Sequence, residues 1–237
     1  MGFCGCVGLG AALRRPDSFT KMHLRGGSAP YDAAGGAITA NGNASFTTSG
    51  ARFIGNAFSI TNTPGWFTIT PGNVAAGLYN VGTAGKWTLS FWITNLANQG
   101  GTYPIIFSAG DQATEIPIFW LFINPSGDDI WCEMRNSSGS DIVVYYGTTG
   151  PPNNNDWQFL TFTYDQSLSS NNLKMYSGTT LFAQATKAGA NGTTGVPTDA
   201  VYLGSDNAAY AHNGLIDDVK VEIGHATAPT KIPSRRR

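Results

Sequence analysis

The feature that most constrains the fold is a period-two alternation near the C-terminus, in the stretch Gly-Leu-Ile-Asp-Asp-Val-Lys-Val-Glu-Ile at residues 214–223. From Val219 onward, apolar residues alternate with charged ones. This pattern is typical of a β-strand with one face in a core and the other in water. Asp217 shares the parity of the apolar residues, and burying a bare carboxylate is costly. The sequence therefore predicts a long strand in which Asp217 is hydrogen-bonded or binds a ligand.

Strand signals recur along the chain. In residues 87–94 the apolar and polar positions alternate, with Trp87, Leu89, Phe91 and Ile93 on one face. Apolar segments between Gly, Pro and Asn breakers give about a dozen strands, and no sustained amphipathic helix is found. We expect an all-β fold, a two-sheet antiparallel β-sandwich of jelly-roll type. The expected divisions are an N-terminal arm at 1–34, the sandwich at 35–226 and a basic C-terminal tail at 227–237.

Several of these strands resemble one known family. Gly-x-Ile-Asp-Asp-Val-Lys-Val at 214–221 resembles the closing strand of laminin-G-like domains of the concanavalin A-like lectin/glucanase superfamily. Trp-Thr-Leu-Ser-Phe-Trp-Ile at 87–93 resembles an earlier strand of that family. Further segments that resemble it in the expected order are residues 38–46, 55–60, 156–165 and 173–178. The resemblance spans about residues 35–224 and implies a concanavalin A-like sandwich, but that family is functionally mixed, so the fold alone does not give the function.

Charge is distributed unevenly along the chain. Charged residues make up only 12% of it, yet residues 1–25 and 231–237 together hold 8 of the 14 basic residues and 1 of the 15 acidic ones. The body therefore carries 6 basic and 14 acidic residues. Basic ends on an acidic body suggest arms that lie on another copy or another subunit. The arm residues that we single out are Arg14, Arg15, Arg235, Arg236 and Arg237. Simple solubility is the alternative.

The cysteines and the N-terminus bear on localisation. Three cysteines, two of them in the first six residues, do not predict a disulfide framework, and Cys132 is expected to be a small core residue. No segment is long enough to span a membrane, and the apolar run at 2–13 is too short for a convincing signal peptide. The start Met-Gly-Phe-Cys-Gly-Cys matches a lipidation signal imperfectly. We expect an extracellular or virion-surface protein.

Catalysis is not predicted. Glycoside hydrolysis needs two carboxylates that face one sugar, but by parity Asp217 and Glu222 point to opposite faces, and Lys220 lies beside Glu222. The three histidines, His23, His212 and His225, follow no nucleophile elbow and are expected at the surface. The sequence therefore predicts that the protein is not an enzyme.

A calcium site is the one cofactor that remains open. Some laminin-G-like domains hold Ca²⁺ at the rim with aspartates and backbone carbonyls, and Ca²⁺ takes six to eight oxygens. The candidate ligands are Asp128, Asp129 and Asp206, with Asp111 and Glu115 as a further pair. The alternative is that these acids cap turns.

Glycan or partner binding is predicted from aromatics on polar strand faces. Parity places Trp92 among Thr and Ser residues, Trp131 with Glu133 and Arg135, and Tyr145 on the face of Val143. The predicted ligand-binding residues are therefore Trp92, Trp131, Glu133, Arg135 and Tyr145. They form an open platform or, in the alternative, lie under loops or a partner subunit.

Two classes of function follow. The favoured one is a non-catalytic structural or interaction protein, a surface subunit of a larger assembly such as a virion exterior decoration or attachment protein. The alternative is a free carbohydrate-binding or adhesion module, and a glycan hydrolase is a distant third. The expected partners are other protein subunits and glycans, not nucleic acid, because the basic residues lie in tails without interleaved aromatics.

Overall fold

The structure is a computed structural model that describes residues 20–25, 31–32, 38–53, 55–69, 85–96, 103–109, 119–124, 129–135, 140–147, 156–187, 201–205 and 210–234. Regular structure within these ranges consists of β-strands. Over the same ranges there is no helix whose length and apolar character would let it cross a membrane.

Fourteen strands are formed by the described residues. In chain order they are β1 (Thr20–Arg25), β2 (Tyr31–Asp32), β3 (Ile38–Thr47), β4 (Ala57–Ile69), β5 (Lys86–Ile93), β6 (Ile105–Ala109), β7 (Phe119–Ile123), β8 (Ile130–Arg135), β9 (Asp141–Tyr145), β10 (Gln158–Asp165), β11 (Leu173–Ser177), β12 (Thr180–Ala185), β13 (Val201–Leu203) and β14 (Gly214–Ile223).

Hydrogen bonding joins eleven of these strands without a break in the order β12-β11-β10-β5-β14-β4-β13-β6-β7-β8-β9, while β1 pairs with β14 and β2, and β3 pairs with β4. Strand β4 connects the two halves of this order, because residues near its start pair with β14 and its last three residues pair with β13. The two ends of the path, β12 and β9, come close to each other. The all-β fold is therefore confirmed, but the pairing describes one strongly curved, nearly barrel-shaped sheet and does not confirm two separate sheets.

The core lies inside this curved sheet. The predicted alternation in β5 is confirmed, since Trp87, Leu89, Phe91 and Ile93 are all buried in the core cluster. Trp87 stacks on Tyr164 of β10 at 6.0 Å and meets Phe119 of β7 edge-on at 5.2 Å. Cys132 is buried in the same cluster, as expected of a small core residue. We call the opposite side of the sheet the outer face.

Strand β14 contains a bulge that changes its parity. Asp217 pairs with Trp92, and Lys220 pairs with Ser90. Between these two pairs β14 has two residues and β5 has one, so β14 contains an extra residue. The extra residue is Asp218, which has a φ of 50°; a left-handed residue of this kind is the usual device of a bulge, and Asp tolerates it.

The bulge corrects the prediction for the carboxylates. Residues paired across antiparallel strands share a face, so Asp217, Lys220 and Glu222 all lie on the outer face and the prediction of opposite faces was wrong. Asp217 is 1% exposed, and its Oδ1 accepts a hydrogen bond from the Asp218 backbone N–H at 2.7 Å. The expectation that Asp217 is hydrogen-bonded is therefore confirmed.

Described residues near both ends of the chain contact the sheet. Within the expected N-terminal arm, β1 pairs with β14, Leu24 is fully buried, and His23 Nε2 lies 2.7 Å from Asp218 Oδ1. At the start of the C-terminal segment, the Thr88 hydroxyl donates to the His225 carbonyl at 2.8 Å. Further along, Ile232 packs so closely on Gly178 that an added Cβ would meet its Cδ1 at 3.0 Å.

The arm residues singled out for assembly, Arg14, Arg15, Arg235, Arg236 and Arg237, lie outside the described residues.

Candidate functional site

An open cleft of about 430 Å³ lies on the outer face of β6, β7 and β8. This volume is within the range of about 300–1,000 Å³ that small-molecule sites occupy. The cleft is lined by six aromatic residues, one aliphatic residue and one ion pair: Tyr103, Trp120, Phe122, Trp131, Tyr146, Tyr210, Ile105, Glu133 and Arg135. We call it the aromatic cleft.

Register explains why these side chains meet. In the β7–β8 hairpin Trp120 pairs with Glu133, and Phe122 pairs with Trp131. Cross-strand partners share a face, so the four side chains form one block on the outer face. Their chain neighbours Leu121 and Cys132 point into the core and fix the orientation of both strands.

The loops add the rings at the mouth of the cleft. Tyr103 is 44% exposed and Tyr146 is 52% exposed, and both contact Trp131, with ring centroids 5.8 and 4.8 Å from it. Tyr103 has a φ of 52°. A left-handed backbone is rare for a bulky residue and is concentrated at functional sites. The Trp131 indole N–H donates to the Gly147 carbonyl at 3.2 Å, which holds this ring in place.

A network of charges forms the polar wall of the cleft. Glu133 is 3% exposed, because the Tyr146 hydroxyl donates to its Oε2 at 2.6 Å and the Arg135 guanidinium pairs with its Oε1. The Nε of Arg135 lies 3.2 Å from Asp141 Oδ1, and its guanidinium carbon is 5.2 Å from the centre of the Trp120 ring. One cation is thus shared by two carboxylates and an aromatic face.

Burial sets the protonation of this wall. Burial raises the pKa of the Glu133 carboxyl, and this effect exceeds the lowering by the Tyr146 hydrogen bond and by Arg135. Burial, followed by the hydrogen bond to Glu133, raises the pKa of the Tyr146 hydroxyl, so this group remains a donor at neutral pH. The wall therefore offers carboxyl oxygens and hydroxyl groups beside apolar rings.

Of the predicted ligand-binding residues, the structure brings Trp131, Glu133 and Arg135 together in the cleft and leaves two others out. Trp92 lies on the outer face as its parity predicts, but it is only 4% exposed. Phe53 and Phe159 pack against it, and the Arg52 guanidinium lies 4.2 Å from its ring centre. The prediction of an open platform at Trp92 was therefore wrong, and the alternative of a covered ring holds.

Tyr145 lies on the face of Val143, as predicted, but this face is the core side and not a ligand-binding side. It pairs with Cys132 and packs against the core. Its neighbour Tyr146, just beyond the end of β9, supplies the ring in the cleft.

Sequence reasoning missed Tyr103, Trp120, Phe122, Tyr146 and Tyr210. For Trp120 and Phe122 a signal existed, because they alternate at the same period as Trp131 and Glu133 across one hairpin. The three tyrosines lie outside the strands, so no period places them.

His212 was expected at the surface and is fully buried. Its backbone N–H donates to the Gly204 carbonyl at 2.7 Å, and its ring lies so close to Gly214 that an added Cβ would meet Nε2 at 2.6 Å. The adjacent Tyr210 lines the cleft, and its carbonyl accepts a hydrogen bond from the Ile105 N–H at 2.8 Å. The buried histidine therefore anchors the segment that carries one wall of the cleft.

The predicted calcium ligands fall mostly outside the described residues, since only Asp129 is described. Its backbone carbonyl accepts a hydrogen bond from the Asn124 N–H at 2.9 Å, which closes the β7–β8 hairpin. Over the described ranges, no three His, Cys, Asp or Glu side chains come together as metal ligands would. Asp128, Asp206, Asp111 and Glu115 lie beyond those ranges.

The strand arrangement is consistent with a concanavalin A-like lectin fold, and the family comparison agrees. Residues 70–224 match the family described as the concanavalin A-like lectin/glucanases superfamily. The chain belongs to this superfamily, which confirms the resemblance seen in its strands.

Solved structures similar to the chain include two botulinum neurotoxin domains. One is described as the botulinum neurotoxin serotype D binding domain (15% identity, TM-score 0.62, covering 86% of this chain and 48% of that one). Another is the receptor binding domain of mosaic serotype C/D (17% identity, TM-score 0.60, 91% and 48%).

A third structure is described by the words "cell entry of botulinum neurotoxin type C is dependent upon interaction with two ganglioside molecules" (13% identity, TM-score 0.62, 86% and 47%). The chain thus spans about half the length of the structures it matches, and at these identities the likeness concerns the fold. No curated protein sequence matches the chain.

Proposed function

We propose that the protein is a non-catalytic carbohydrate-binding module that holds a glycan in the aromatic cleft. The observation that carries the proposal is the combination, in one open cleft, of exposed aromatic rings with a hydrogen-bonded polar wall. A sugar ring has an apolar face of C–H groups and an edge of hydroxyls. Rings such as Tyr103, Trp131 and Tyr146 suit the first, and the Glu133 carboxylate suits the second.

Preorganisation supports the proposal. Trp131 is held by Gly147, and Glu133 is held by Tyr146 and Arg135 before any ligand arrives. A site whose side chains are already fixed loses less conformational freedom on binding. The left-handed backbone of Tyr103 costs about 1–2 kcal/mol, and it places an aromatic ring at the mouth of the cleft.

The carboxylates favour binding over hydrolysis. A glycosidase needs an acid and a nucleophile or base on either side of the scissile bond. In the cleft, Glu133 and Asp141 are both engaged by Arg135. On the other half of the outer face, Glu222 is paired with Lys220 at 2.5 Å. These pairings place a cation beside each of these three carboxylates.

The neurotoxin neighbours make glycan binding plausible, because one of them is described as interacting with gangliosides. This chain covers only about half of that structure, so the proposal rests on the cleft and not on the neighbour.

A glycan array tests the proposal with two matched tryptophan variants. Trp131 and Trp157 are both partly exposed, and each donates its indole N–H to a backbone carbonyl, of Gly147 and of Gly50 respectively. Only Trp131 lies in the cleft. We expect the wild type and W157A to bind the same glycans and W131A to lose them. The proposal fails if no glycan is bound or if W131A binds as well as W157A.

A second candidate function is a surface subunit of a larger assembly, such as a virion exterior protein, which would use the cleft for attachment. It is favoured by the charge distribution, with 8 of the 14 basic residues near the two ends of an acidic body. Light scattering of the full chain beside residues 20–234 tests it. The shorter chain keeps the buried Leu24 and the C-terminal segment that lies on the sheet. Assembly by the full chain alone supports the subunit role, and monomers in both samples refute it.

A further inference from the structure

We infer that the aromatic cleft selects neutral glycans and rejects anionic ones, such as those that carry sialic acid, uronic acid or sulfate. This inference rests on the proposed function and names the ligand class of the same site. Its first support is the composition of the segment of the chain that contains β6 to β9: Arg135 is the only Lys or Arg in residues 87–173. The same stretch contains eight acids: Asp111, Glu115, Asp128, Asp129, Glu133, Asp141, Asp156 and Asp165. Strands β6 to β9 and the segments that connect them fall within it, whereas β5 begins one residue before it, at Lys86, which pairs with Asp165.

The second support is that the guanidinium of Arg135 already forms ion pairs within the protein. Arg135 pairs with the buried Glu133 and with Asp141, and its guanidinium lies over Trp120. A sugar carboxylate or sulfate that approaches Arg135 has to displace one of these two acids. Glu133 is further tied by Tyr146 and is 3% exposed, so the exposed Asp141 is the one that would have to move.

The third support is the charge that remains. Two carboxylates around one guanidinium leave the polar wall with an excess of negative charge when Glu133 is ionised. Repulsion of an anionic ligand there is screened less than at an open surface, because Glu133 is buried. A neutral sugar meets no such repulsion, and its hydroxyls can donate to the carboxylate oxygens while its C–H face stacks on Trp131.

Binding to matched pairs of glycans tests this selectivity. Each neutral oligosaccharide is compared with its sialylated, glucuronylated or sulfated counterpart, first on an array and then by calorimetric titration of the full chain. We expect the acidic member of each pair to bind at least about tenfold more weakly, with the difference shrinking at high salt. Equal or tighter binding of the acidic members overturns the inference and leaves the proposed function standing. Failure of every glycan to bind overturns the proposed function itself.

Two charge variants separate electrostatics from shape. D141N frees one side of Arg135 and removes one acid, so we expect the affinity ratio of acidic to neutral members to rise several-fold. The control is D156N, which removes an exposed acid from outside the cleft and is expected to leave the ratio unchanged. An unchanged ratio in D141N, or an equal rise in D156N, contradicts the assignment of the selectivity to this cluster.

Discussion

Acidification from about pH 7.5 to about pH 5 is expected to cost about 2 kcal/mol of the free energy of unfolding through His212 alone. Burial lowers the pKa of this imidazole to about 4, against a hydrogen bond with Thr94 that raises it. In the unfolded chain a histidine titrates near about 6.5. Between these two values the unfolded state binds a proton that the folded state does not. Stability is therefore fully present above about pH 6.5 and is lost as the pH falls toward about 4.

The magnitude follows from the size of the shift. Each pKa unit corresponds to about 1.36 kcal/mol, so the loss approaches about 3 kcal/mol near pH 4 and about 2 kcal/mol near pH 5. Such a loss is a large part of the stability of a typical domain, about 5–15 kcal/mol. His212 also precedes Gly214 at the start of β14 and follows the cleft residue Tyr210. Glycan binding is therefore expected to weaken in the same pH range.

Urea unfolding of the wild type and of H212N at a series of pH values measures the contribution of His212 to the free energy of unfolding. The wild type is expected to lose about 2 kcal/mol more than H212N between about pH 7.5 and about pH 5. H225Q replaces a histidine near the C-terminal end of the same strand, whose side chain is half-buried, and serves as the control. A direct readout comes from the NMR titration of the His212 ring, and a midpoint near 6.5 in the native protein would refute the reasoning.

Three further outcomes are expected. W131A should lower the free energy of unfolding by about 1–2 kcal/mol in a urea titration, whereas W87A in the core should lower it by about 3–5 kcal/mol. Equal losses would mean that Trp131 contributes as much to stability as the core residue Trp87. Burial raises the pKa of the Cys132 thiol, with Glu133 adding to the rise, so in a variant without the other two cysteines maleimide should label it only in denaturant. Ending the chain at Gly224 should cost about 1–3 kcal/mol relative to ending it at Ser234, because it removes the hydrogen bond from Thr88 to His225 and the contact of Ile232 with Gly178; equal melting curves would contradict a stabilising role of these contacts.

Much of the candidate site could be predicted from alternation alone. The face that carries Trp131, Glu133 and Arg135 follows from the opposite parity of Ile130, Cys132 and Met134, which are buried. Alternation is a property of a single strand and needs no knowledge of its neighbours. It could not show that Glu133 would itself be buried, because the groups that cover it come from Tyr146 and from the side chain of Arg135.

The bulge in β14 shows where a local pattern fails. The sequence treats Asp217 as a core-parity residue, but the left-handed Asp218 inserts an extra residue and turns Asp217 to the outer face. A one-residue slip of this kind reverses the faces on either side of it. The alternation breaks at Asp217, but that break does not reveal a bulge, because Asp is only one of several residues that tolerate a left-handed backbone.

By itself, then, the sequence determined the β-class, the family and the faces of strands such as β5 and β8, because these depend on a period of two and on breakers that act within a few residues. Only the tertiary structure decided which outer face stays open. Trp92 and Trp131 have the same local pattern, yet the chain around Phe53 covers the first, and the tyrosines of three separate loops frame the second. Coverage depends on contacts between residues far apart in the chain, and it is this long-range packing that leaves one aromatic cleft available for a ligand.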